Sequence, residues 1–130
     1  MRKIILFFSL VTLFLVSCSS TQTGSSNTGV VKEFKISIIH AAGYTPNTFT
    51  VNKGDTVRFL VTSDPLFHEH GITISEFNLS VKVTAGEKDT PQVIEFVADK
   101  AGEFLIWCGT CLTGPIGDHP WMRGKLIVKP

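Results

Sequence analysis

The chain has 130 residues, a formal net charge of +1 and 43% hydrophobic residues. That length allows a single domain. A charge so close to zero argues against a nucleic-acid partner, which needs a basic patch.

Met1-Arg2-Lys3 is a short positive segment, and residues 4–16 form an almost unbroken apolar run. The run is too short for a permanent membrane span and has the flanks of a signal peptide. It ends in Leu15-Val16-Ser17-Cys18, which resembles the lipobox of bacterial lipoproteins. That resemblance implies a signal peptide over residues 1–17, cleavage before Cys18 and acylation of Cys18. The alternative is an ordinary signal peptide with a chance cysteine. Two or three acyl chains anchor a protein stably where one chain binds marginally. Residues 18–29 are small and polar and read as a flexible tether.

Loss of Arg2 and Lys3 leaves a formal charge of −1, because every acidic residue lies later. The expected location is the cell envelope, with the protein held to a membrane through Cys18 and facing the periplasm or the exterior. A thiol pair in such a compartment oxidises unless a metal or a reductant protects it.

From residue 30 to residue 130 the chain reads as short strands with turn punctuation. Residues 33–40 alternate Phe34, Ile36 and Ile38 against Lys35 and Ser37, the pattern of a half-buried strand. Residues 41–47, with Gly43 and Pro46, read as a turn, 48–51 as a strand, and Asn52-Lys53-Gly54-Asp55 as a turn. Residues 56–62 place Val57, Phe59 and Val61 on one face. Pro65 breaks the pattern, and strands are expected again over 72–75, 77–83, 91–97, 103–107 and 123–129. Seven or eight strands in a domain of this size indicate an all-β sandwich or barrel.

Donor side chains concentrate in residues 104–124, which hold Cys108, Cys111, His119 and Met122. For Cys108 and Cys111 a structural disulfide, a redox-active dithiol and a metal site compete. Trp107-Cys108-Gly109-Thr110-Cys111 is similar to the thioredoxin W-C-G-P-C motif. That motif needs a helix after the first cysteine, and Gly114, Pro115 and Gly117 forbid one here. Thiolate, imidazole and thioether on one loop suit copper, for which electron-transfer sites favour two histidines, a cysteine and a weak axial methionine. His70, entering a strand, is the candidate second histidine. His68 lies two residues earlier in the loop that enters the strand, and the sequence leaves open which of the two histidines is the ligand. His40 ends the first strand, with no soft ligand near it in sequence, and reads as structural.

These features together resemble the cupredoxins, and the resemblance implies an all-β, cupredoxin-like Greek-key β-sandwich of seven to eight strands. Residues 49–59 (FTVNKGDTVRF) match their strand, Lys-Gly-Asp turn and strand, and the Cys…His…Met loop before a last strand matches their closing half. The similarity is to the copper-A domains of cytochrome c oxidase subunit II and nitrous oxide reductase. It rests on His70-Gly71-Ile72, on residues 96–104 (FVADKAGEF) and on residues 122–128 (MRGKLIV). The resemblance implies His70, Cys108, Cys111, His119 and Met122 as copper ligands, with a weak carbonyl ligand from Gly109 or Thr110. The spacing departs from that family, with two residues between the cysteines and seven between Cys111 and His119. One copper held by Cys108, His70, His119 and Met122, and two coppers bridged by both thiolates, both remain open.

The expected function is electron transfer by a copper protein with no enzymatic activity of its own, its partner a redox protein. Copper carriage to a recipient enzyme in the same envelope is the alternative. A metal-free surface domain with a Cys108–Cys111 disulfide is the third reading.

Overall fold

Strict alternation places one face of each long strand in the core. In a computed structural model that describes residues 29–64, 69–86, 88–111 and 119–130, Val57, Phe59 and Val61 are each 0% exposed, while the residues between them are only partly covered. The signal peptide, Cys18, the tether up to residue 28, His68 and residues 112–118 of the donor loop lie outside the described residues.

Nine strands are present among the described residues: β1 (Val31–Ile39), β2 (Gly43–Thr45), β3 (Thr48–Asn52), β4 (Thr56–Ser63), β5 (His70–Ile74), β6 (Leu79–Val83), β7 (Gln92–Val97), β8 (Gly102–Trp107) and β9 (Arg123–Lys129). They form two sheets, in the orders β2-β1-β4-β7 and β3-β9-β8-β5-β6. The β1–β4 and β3–β9 pairs are parallel and the other pairs antiparallel. The strand beyond the expected seven or eight is β2, three residues inside the segment that reads as a turn. A 3-10 turn at Ser75–Phe77, closed by Asn78 in the left-handed region, stands where the strand before Val83 was expected to begin. Asparagine enters that region at little cost.

The two sheets enclose a core rich in aromatic rings. Phe34, Phe49 and Phe59 contact one another at centroid distances of 5.0–6.1 Å, and Phe59 continues through Phe96 and Phe77 to Phe104. These separations suit edge-to-face and tilted packing.

The Lys-Gly-Asp turn joins the two sheets at one end. The buried Asp55 carboxylate accepts the Val30 N–H at 3.2 Å and the Asn52 N–H at 2.8 Å. Gly54 N–H donates to the Ala98 carbonyl, and Lys53 N–H to that of Lys129. On the outer face of the first sheet, Arg58 bridges Glu95 at 2.8 Å and Glu33 at 3.6 Å. The hydrogen bond to Glu95 is the main cause of its raised pKa, and exposed pairs of this kind add little to stability.

Phe59 touches aromatic partners on both sides, so Phe59→Ala is expected to cost about 3–5 kcal/mol in stability. Denaturant unfolding of the two proteins measures it. A loss below about 1 kcal/mol would mean that the aromatic core does not depend on this ring.

Candidate metal centre

The site lies at the end of the sandwich opposite the Asp55 turn, where β5 begins and β8 ends. His70 opens β5, a strand buried along its whole length between β6 and β8. β5 and β8 share the pair Thr73↔Trp107, after which the chain leaves the ladder and turns at Cys108. The pairing then passes to a side chain, because Gly109 N–H donates to Thr73 Oγ1 at 3.2 Å.

Two glycines permit this approach. A Cβ on Gly109 would lie 2.6 Å from Thr73 Oγ1, and one on Gly71 would lie 2.5 Å from the Val81 carbonyl oxygen and press into Thr110 Oγ1. Any larger residue at either position drives the turn away from β5. The turn is therefore held against the first residues of β5. Cys111 Sγ lies 3.8 Å from His70 Nδ1 and 3.9 Å from Met122 Sδ. Donor atoms of His70, Cys108 and Cys111 all lie within 4.8 Å of one another, and all three residues are buried. Cys108 and Cys111 are joined in a disulfide. Thr110 Oγ1 sits 3.9 Å from Cys108 Sγ.

The remaining donors come from the tight turn His119-Pro120-Trp121-Met122, closed by Met122 N–H donating to the His119 carbonyl at 2.9 Å. Proline at its second position presets the backbone for such a turn. Met122 is fully buried and His119 half-buried, and their turn brings the His119 ring centroid to 5.9 Å from that of His70. The structure thus gathers His70, Cys108, Cys111, His119 and Met122 at one end of the fold.

One residue of this end reads as structural in the sequence. The His40 ring is 5.5 Å from His70 and 4.9 Å from His119. Its sequence neighbours hold no donor, so only the return of β1 to this end of the sandwich reveals it.

Two cysteine sulfurs, imidazole nitrogens and a thioether, in a buried setting, fit a soft or borderline first-row metal. Both thiolates become available only once the disulfide is opened.

No family model matches the sequence. The chain is 32% identical over 90 residues to cytochrome c oxidase subunit 2 of Thermus thermophilus, a match covering 68% of this chain and 60% of that protein. A second subunit 2, from a named strain of the same species, matches at the same identity over 48% of its length, so the chain spans about half the length of the curated relatives it matches. Among solved structures, a copper binding protein in its apo form superposes with a TM-score of 0.58 and 25% identity, covering 76% of this chain and 88% of that one. The periplasmic domain of cytochrome oxidase subunit II from Bradyrhizobium japonicum superposes with a TM-score of 0.56 at 17% identity, covering 74% and 82%.

A two-sheet β-sandwich of this order, with its donors at one end, has a cupredoxin-like fold. Within that class the chain is related to the copper-A domains of cytochrome c oxidase subunit 2.

Gly71→Ala is expected to lower stability by about 1–3 kcal/mol through overpacking against Thr110 and Val81. Thermal unfolding measures the loss, and an unchanged midpoint would show that the approach of β5 to the cysteine turn is not tight.

Proposed function

We propose that the chain is a lipid-anchored, exported copper protein that transfers electrons, docked to the membrane through Cys18. The observation that carries this reading is the convergence of two sulfurs, His70 and Met122 in one buried cluster. The relation to cytochrome c oxidase subunit 2 supports it, and so does the likeness to a copper binding protein. Among the described residues no helix is long and apolar enough to cross a membrane. An extracytoplasmic setting is supported by the likeness to a periplasmic domain.

Copper held there supplies a one-electron couple between Cu(I) and Cu(II). His70 and Met122, both 0% exposed, keep their donor atoms fixed and exclude water from the cluster. His119 carries the site toward the surface, where its ring lies 5.3 Å from that of Trp121, which is 48% exposed. That edge suits contact with a redox partner protein. A dithiol reductant must first give the Cys108–Cys111 bond two electrons and two protons, becoming a disulfide itself. The resulting thiols lose their protons when they take up a metal.

Carriage of copper to a recipient enzyme is the second reading, favoured by the likeness to the copper binding protein. A carrier releases copper to a chelator quickly, whereas an electron carrier cycles with its metal retained.

Copper loading of the reduced protein is expected to give stoichiometric metal and thiolate-to-copper absorption, both abolished in Cys108→Ser. Absence of copper uptake by the reduced protein would overturn the reading. Electron paramagnetic resonance of the loaded form counts the metals. Hyperfine coupling to two equivalent copper nuclei identifies a binuclear centre, and coupling to one a mononuclear centre.

Loading with the disulfide closed is expected to give no thiolate-to-copper absorption at all. The band appears when a dithiol is added, and a band already present in the closed form would show that these sulfurs are not the ligands.

A further inference from the structure

His40 has no role in the copper site proposed above, yet it completes a cluster of three imidazoles. Ring centroids are separated by 4.9 Å for His40 and His119, 5.5 Å for His40 and His70, and 5.9 Å for His70 and His119. Three imidazoles bound to one ion at about 2.0–2.1 Å per nitrogen have ring centres roughly 5–5.5 Å apart. The observed separations bracket that value. Each ring also has a nitrogen excluded from solvent: Nδ1 of His40, Nε2 of His70 and Nδ1 of His119.

Hydrogen bonds that do not involve the cysteines tie the three segments together. His40 sits in the turn between β1 and β2, which Ala42 N–H closes by donating to the Ile39 carbonyl at 3.0 Å. The Trp121 indole N–H donates to the His40 carbonyl at 2.6 Å, tying that turn to the one carrying His119. Gly43, with φ +80°, lets the hairpin reach the Trp121 carbonyl, which a Cβ there would meet at 2.6 Å. On the other side, the buried Tyr44 hydroxyl donates to the Gly71 carbonyl at 2.7 Å, next to His70.

We propose that His40, His70 and His119 form an all-imidazole site for a divalent cation of borderline softness, Cu²⁺ or Zn²⁺, filled while the Cys108–Cys111 bond is closed. A closed disulfide offers no thiolate, and imidazole is the remaining donor that suits such ions. Among the described residues the tightest donor grouping is His70 with the two cysteines. The imidazole set therefore closes on an ion by side-chain rotation of His40 and His119, both half-buried. Because it shares His70 and His119 with the copper site, the protein has two overlapping donor sets, chosen by the state of one disulfide. The inference rests on the same end of the fold as the electron-transfer reading but not on its thiolates.

The test uses the full chain with the disulfide closed, titrated separately with Zn²⁺ and Cu²⁺ by calorimetry. The Cu²⁺ form is then read by electron paramagnetic resonance for nitrogen splitting. The expected result is a single ion per chain, with splitting from three nitrogens. His40→Ala and His40→Gln should each weaken binding roughly 10–100-fold or more and leave two nitrogens in the splitting. Cu(I) uptake by the reduced forms of both variants should match that of the unsubstituted chain, which also shows that they fold. The proposal is overturned if the closed chain binds neither ion, or if the variants bind as tightly as the unsubstituted chain. Failure of the reduced chain to bind Cu(I), with Zn²⁺ binding by the closed form intact, would sink the electron-transfer reading and leave this one standing.

Discussion

The contact on which the site depends is the approach of the Cys108 turn to the first residues of β5. Gly109 lies there against the Thr73 side chain, and Gly71 against the Thr110 side chain and the Val81 carbonyl. Without those two glycines the sheet still pairs through β8 and β9, but Cys111 no longer faces His70. The donors therefore owe their geometry to places where side chains are missing. This differs from the other end of the sandwich, where one buried carboxylate, Asp55, gathers backbone N–H groups and locks the turn. A rigid closed end and a glycine-lined open end divide stability and function between them.

Much of the scaffold was legible in the sequence because alternation is a direct readout of burial. Val57, Phe59 and Val61 in β4, and Leu126 and Val128 in β9, lie in the core as their spacing predicts. β2 was not legible, since three residues cannot display a period and Gly43 and Pro46 carry the composition of a turn. The strand expected from Phe77 was shortened by Asn78, whose left-handed backbone ends the 3-10 turn that precedes β6.

The donor loop was legible for a different reason. Soft side chains are scarce, and four of them within residues 108–122 stand out without any structure. His70 was legible only through the scaffold, as a histidine opening a strand that a sandwich can bring beside the donor loop, and the family resemblance then singled it out. His40 escaped because its neighbours at the site, His70, His119 and Trp121, arrive from β5 and from the segment before β9. Proximity made by stacking the end of β1, in one sheet, against β5 and the segment before β9, in the other, leaves no trace in local spacing. The oxidation state of Cys108 and Cys111 is likewise absent from composition, since the same two residues serve as disulfide or thiolates.

The position of β9 has a consequence for how the protein matures. It is the last of the described strands, yet it lies inside its sheet, parallel to β3 on one side and antiparallel to β8 on the other. The second sheet stays divided until residues 123–129 have been delivered, and such distant pairings form late. The turn that carries His119 and Met122 directly precedes β9, so these two side chains take their places beside Cys108 and Cys111 when β9 docks. The donor set at this end of the fold is thus completed by the same event that joins the two halves of the second sheet.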